Sequence, residues 1–228
     1  MKLLKKNNGY ACIKRNKTIY YKYGTTPNVT VIGSPTIENG VASGFSSANY
    51  LMLPKSLNAE DKPWEVVIKF TTASSSSTQA IIGGTAAYKA GLVVFTENKV
   101  LKCGLSGNGT SWSISSYKSG ATLTASTTYY IKAEFTGSSY NIYYRTEDSD
   151  WTLSISVAST TSIYQDGIWR LGSGYLTSTL YTAFGSIDFK ESYINIDSKL
   201  WWNGIVAEEV TSGSYDFTEN KTVYLGVK

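Results

Sequence analysis

The segment Phe184-Gly-Ser-Ile-Asp-Phe-Lys-Glu-Ser-Tyr-Ile-Asn-Ile-Asp197 runs on through Ser-Lys-Leu-Trp-Trp-Asn-Gly204 and carries a strong strand pattern. After the Gly-Ser pair, Ile187 and Phe189 share one face while Asp188 and Lys190 take the other. Ile194 and Ile196 continue the apolar face, opposed by Asn195 and Asp197, but one residue out of phase with the first half. Period-two alternation with a phase slip predicts a bent strand with a bulge near Glu191, packed on one face and wet on the other.

Upstream, the same period recurs. In Pro63–Phe70, Trp64, Val66, Ile68 and Phe70 line one face against Glu65, Val67 and Lys69. Thr128–Thr136 buries Tyr129, Ile131, Ala133 and Phe135, and Tyr140, Ile142 and Tyr144 line the next strand. Trp151, Leu153, Ile155 and Val157 alternate with Thr and Ser, so Trp151, like Trp64 and Trp169, reads as packing. Val29–Ile32, Gly91–Phe95, Val100–Leu105 and Ile168–Gly172 read as further strands, with Trp112–Ile114 as a short one. Gly44–Pro54 reads as an edge strand ending at its proline. Thr71–Thr78 and 172–183 read as loops, and Thr222–Val227 as a last strand. Short strands at this spacing, with no convincing helix, predict an all-β sandwich or barrel.

The 228 residues are enough to bury a full core, and their 42% hydrophobic content is spread without an apolar run long enough to span a bilayer. Membrane insertion is therefore not expected. The charge is uneven. Residues 1–24 hold seven lysines and arginines and no acid, while the other 14 basic and 17 acidic residues leave the rest at −3 and the whole at +4. Ala11–Tyr23 reads as a hairpin with its turn at Arg15-Asn16-Lys17. It is either a solvated basic arm or a docking element, with Lys14, Arg15 and Lys17 as the contacts. No motif or basic body points to nucleic acid. The domain expectation is 1–26 as a basic hairpin, 27–200 as the sandwich, and 201–228 as a strand and tail packing on the sandwich or on a partner.

The chain has no histidine, which removes Ser-His-Asp and Cys-His nucleophilic systems and the commonest zinc ligand. Cys12 and Cys103 make no disulfide framework, and each is expected to pack as a small apolar side chain. The basic start lacks the apolar stretch of a secretory signal, so Asn28, Asn108 and Asn220 read as chance glycosylation sequons. The acidic turn Glu147-Asp-Ser-Asp150 could offer oxygen ligands to calcium but lacks the spacing of a dedicated loop, so no cofactor is expected.

Trp64-Glu-Val-Val-Ile-Lys-Phe70, Thr128-Tyr-Tyr-Ile-Lys-Ala-Glu-Phe135 with Tyr140-Asn-Ile-Tyr-Tyr144, and Ile168-Trp-Arg-Leu-Gly172 with Phe184-Gly-Ser-Ile-Asp-Phe189 occur in this order. The set resembles the concanavalin A-like lectin/glucanase superfamily in its laminin-G-like branch. That resemblance implies an all-β, two-sheet antiparallel jelly-roll sandwich. The tail Tyr193–Gly204 and the basic N-terminal hairpin look like those of domains carried by phage or prophage tail and fibre proteins. This implies a virion or cell-surface location, other virion subunits as partners and a homo-oligomer.

Glucanases of the same superfamily use two carboxylates on one strand, about 5–5.5 Å apart in retaining enzymes. The nearest equivalent here is Ser186-Ile-Asp188-Phe-Lys-Glu191. Ser186 replaces the first carboxylate, and the phase slip is expected to turn Glu191 off the Asp188 face. A non-enzymatic role follows. Loop aromatics could stack on sugar rings while Asn, Ser and Thr bond the hydroxyls. The candidates are Tyr88, Trp112, Tyr117, Tyr175 and Tyr181, for which ordinary surface or subunit packing is the competing and commoner role. Trp201 and Trp202 cannot both face one core from a strand, so they are expected at a structural seam. Three functions stand: an adhesion module for cell-surface glycan or protein, a structural virion decoration protein without sugar binding, and a glycoside hydrolase, which the missing nucleophile disfavours.

Overall fold

A computed structural model describes residues 29–53, 62–113, 117–160, 163–164, 167–176, 179–183 and 185–198, and the backbone of four further strands. Three of those strands, β1 (Lys2–Lys6), β2 (Gly9–Ile13) and β3 (Ile19–Tyr23), make a separate antiparallel sheet. The expected hairpin is the β2–β3 pair, with Ile13 opposite Ile19, and β1 adds a third strand. Its basic turn, Lys14, Arg15 and Lys17, lies outside the described residues, as do the expected strand Thr222–Val227 and the side chain of Cys12.

The body contains β4 (Thr30–Ile32), β5 (Thr36–Glu38), β6 (Val41–Ser43), β7 (Tyr50–Met52), β8 (Trp64–Thr71) and β9 (Gln79–Gly84). It continues with β10 (Leu92–Glu97), β11 (Val100–Leu105), β12 (Lys118–Thr122), β13 (Thr128–Phe135), β14 (Ser139–Arg145) and β15 (Thr152–Ala158). The last are β16 (Trp169–Leu171), β17 (Ser173–Tyr175), β18 (Leu180–Thr182), β19 (Ser186–Ile196) and β20 (Lys199–Trp202). Two antiparallel sheets form a sandwich, consistent with a jelly roll, and the described residues contain no helix. One sheet runs β12-β11-β10-β9-β16-β7-β4, with the β17–β18 hairpin joined to β9. The other runs β15-β14-β13-β8-β19-β6-β5, with β20 joined to β19.

Alternation on β8 places Trp64, Val66, Ile68 and Phe70 in the core, and each such burial is worth roughly 1.5–3 kcal/mol. The Trp64 ring meets Trp169 of the other sheet edge-on, 6.3 Å between centroids, which clamps the sheets together. Four expectations need correction. The Tyr50–Met52 strand is internal, between β16 and β4, rather than an edge. Trp112 sits in irregular backbone, and the strand there is β12. Residues 172–183 hold the short hairpin β17–β18 instead of being all loop.

The fourth concerns Trp151, which is 36% exposed, as is Leu153 at 52%, while Ile155 is buried. Ile142 pairs with Ile155 but Tyr143 pairs with Leu153, so Ser154 is an extra residue that reverses the phase. Its hydroxyl accepts the Ala121 N–H of β12 at 2.8 Å, joining the edges of the two sheets.

The bulge expected near Glu191 is present. Asp188 pairs with Lys69 and Tyr193 with Val67, so β19 takes five steps where β8 takes two. The Asp188 carboxylate holds the detour by accepting the Lys190 N–H, and the Ser192 hydroxyl donates to the Asp188 backbone carbonyl while accepting the Lys69 N–H.

Candidate functional site

Two loops build an aromatic cluster beside the nine-stranded sheet. The first connects β9 to β10 and holds Tyr88 in the left-handed region, φ 63°. The second follows β11 and is shaped by Asn108, whose side-chain oxygen accepts the N–H groups of Thr110 and Ser111 at 2.9 and 3.0 Å. The Ser106 N–H donates to the Gly91 carbonyl at 2.7 Å, tying the loops together.

Trp112 meets Tyr88 edge-on at 4.9 Å and Tyr117 at 5.5 Å, and Tyr117 meets Phe95 at 4.8 Å. The Tyr117 hydroxyl donates to the Leu176 carbonyl at 2.6 Å. Burial, then the neighbouring phenols of Tyr88 and Tyr181, pushes its pKa well above the ordinary tyrosine value. Four of the five candidate aromatics are thus gathered, each partly exposed, with Trp112, Tyr117 and Tyr181 also packing against the core. Tyr175 is engaged differently, by Arg170, whose guanidinium lies 6.0 Å from its ring and 4.1 Å from that of Tyr50.

Trp201 and Trp202 lie on β20, where Trp202 pairs with Ile194, and their side chains are outside the described residues. The Cys103 thiol is buried, and burial pushes its pKa up to about 12.

The carboxylates behave otherwise than expected. The β19 detour returns Glu191 to the wet face of the eight-stranded sheet, on the same side as Asp188. There Lys69 Nζ lies 3.2 Å from Glu147 and 3.8 Å from Asp188. The Tyr130 hydroxyl reaches Glu147 and Glu191, both at 3.0 Å, with one proton to donate. Burial works against the Lys69 ammonium, but hydrogen bonds to Tyr130 and Glu147 outweigh it and raise its pKa above the lysine norm. Lys69, then Tyr130, holds Glu147 below the ordinary glutamate value. A glycosidase general acid needs the opposite shift, so this network is built to keep Glu147 ionised. Among the described residues no three His, Cys, Asp or Glu side chains converge as metal ligands.

No protein-family model and no curated protein matches the sequence. Solved structures do match in fold. The binding domain of botulinum neurotoxin DC in complex with SialylT aligns at TM-score 0.53 and 12% identity, over 89% of this chain and 48% of that one. The same domain in complex with rat synaptotagmin II gives 0.53 and 12%, over 87% and 48%. A botulinum neurotoxin type C structure, described as entering cells through two ganglioside molecules, gives 0.54 and 10%, again over 87% and 48%. The chain spans about half the length of these structures. At such identities the likeness is one of fold alone: an antiparallel two-sheet sandwich consistent with a jelly roll.

Proposed function

We propose that this chain is a non-catalytic recognition module that binds a cell-surface glycan or another surface ligand through the loop aromatics of the nine-stranded sheet. The observation that carries this reading is the convergence of Tyr88, Trp112 and Tyr117 from two loops on one partly exposed patch. Aromatic edges and faces beside Asn, Ser and Thr suit a pyranose ring and its hydroxyls. The botulinum domains of similar fold are described with SialylT, gangliosides and synaptotagmin as ligands, which supports recognition in general and no particular ligand here.

The module is mounted on a phage or prophage virion, as a homo-oligomer, with the basic hairpin (Lys14, Arg15, Lys17) and the Trp201-Trp202 seam as its docking elements. The second reading, a structural decoration protein with no sugar binding, is favoured by the Tyr117 hydroxyl being already engaged by Leu176.

Glycan-array binding separates the two. Recognition predicts binding that falls about 3- to 10-fold in Tyr88→Ala or Trp112→Ala, the scale of one aromatic contact. An array blank for the wild type, or binding indifferent to both substitutions, supports the structural reading.

A further inference from the structure

The other sheet carries a groove that the aromatic loops do not touch. It encloses about 470 Å³ on the wet face of the eight-stranded sheet. Val67 of β8, fully buried, is its floor. Arg145 and the exposed Trp151 line it on the β14–β15 side, and the β19 detour brings Lys190, Glu191 and Tyr193 to it.

The acids and bases of this face are unequally engaged. Glu147 and Asp188 are taken by Lys69, Glu134 by Lys132, and Glu191 accepts the Tyr130 hydroxyl. Lys190 makes no ion pair among the described residues. Its stem lies across Gly40, where a Cβ would come within 2.3 Å of the Lys190 Cγ.

Arg145 is held by its neighbours. Its guanidinium lies 4.1 Å from the Tyr130 ring and 5.1 Å from that of Trp151, and one terminal nitrogen donates to the carbonyls of Thr146 and Glu147. Among the described residues its other N–H groups carry no hydrogen bond. A stacked, backbone-anchored guanidinium with donors left over is preorganised for an oxyanion.

We infer that this groove is a second binding site, for an acidic saccharide bearing a carboxylate or sulfate group. Arg145 takes the anionic group and Lys190 adds charge from the opposite wall. Tyr193 and the exposed part of Trp151 offer apolar surface to the ring, and Glu191 accepts ring hydroxyls. Glu191 also disfavours a bare polyphosphate, which would bring only negative charge to that wall. The site stands independently of the loop cluster on the other sheet.

The test titrates the full chain with three oligosaccharides of equal length: one of uronic acids, one sulfated and one neutral. At low salt at least one acidic ligand binds about tenfold or more tightly than the neutral one, the scale of a charge-assisted hydrogen bond. Its affinity falls with ionic strength. Arg145→Met removes that preference, and Arg145→Lys restores only part of it. Lys190→Gln weakens the acidic ligand alone, and because Lys190 supports no ion pair among the described residues this variant tests the site even where Arg145→Met fails to fold. Trp112→Ala weakens whatever binds at the loop patch, neutral or acidic, and leaves the preference for the acidic ligand in place, which separates the two sites. Equal affinity for the neutral and acidic ligands overturns the inference, as does acidic binding insensitive to Lys190→Gln and Arg145→Lys. Absence of acidic binding overturns it too, and leaves neutral binding at the loop patch to be judged separately.

Discussion

Gly185 stands where β19 approaches β8, and no other residue fits. A Cβ there would come within 1.7 Å of the Thr71 carbonyl oxygen, which belongs to the backbone and cannot rotate away. The neighbouring pair Ser186 and Thr71 is the first of the β19–β8 ladder, so displacing it disturbs the entry to the whole strand. Gly185→Ala is expected to destabilise the protein by about 3 kcal/mol, the upper range for overpacking. Urea unfolding followed by tryptophan fluorescence measures this, and a loss under about 1 kcal/mol would show that the strands separate more easily than their packing implies.

Ser154 governs β15 in a similar way, but as a feature of the element. Because the bulge reverses the phase, Leu153 faces solvent and Ile155 the core, two residues apart on one strand. Leu153→Ala should therefore change stability by less than about 0.5 kcal/mol, whereas Ile155→Ala should cost about 2–4 kcal/mol. Equal losses in chemical denaturation would mean a regular strand. This is also where reading the sequence failed. Trp151, Leu153, Ile155 and Val157 show unbroken period two, and nothing in Thr-Leu-Ser-Ile marks an extra residue, so the pattern alone puts Trp151 on the packed face. In β19 the reverse holds: the slip between Phe189 and Ile194 is visible because strong apolar residues flank it on both sides. The direction of the detour is not visible, since Lys190, Glu191 and Ser192 are all polar. Their return to the Asp188 face depends on hydrogen bonds to that side chain and to the Lys69 backbone.

At the scale of the molecule, the loop patch was partly legible because glycine- and serine-rich loops mark where aromatics reach the surface. The groove was not, because Val67, Arg145, Trp151 and Lys190 become neighbours only through the order β15-β14-β13-β8-β19. The titrating groups make a further property of the whole fold predictable. With no histidine, nothing but the α-amino group has an ordinary pKa between about 5 and 8. On the acid side Glu147 is held down by Lys69. Burial opposes the ionisation of Glu134, but Asn141 and Lys132 overcome it. Groups with lowered folded pKa contribute stability above the unfolded value, 4.5, and lose it as pH falls through the folded one. On the alkaline side burial raises Cys103, Tyr117, Tyr130, Tyr143 and Tyr193, and hydrogen bonding raises Lys69. These contribute fully below their unfolded values, 9.0 for the thiol and 10.0 for the phenols, and lose stability as pH rises through the folded ones. Tm should be flat between about pH 5 and 9 and fall on both sides. Tyr117→Phe, which keeps the ring and removes the proton, should flatten the alkaline limb and leave the acid limb alone. Calorimetry across pH 3–11 reads both limbs, and a step in Tm between about pH 6 and 8 that persists when the α-amino group is acetylated would mean that a carboxylate or thiol in the fold titrates far from where its neighbours place it.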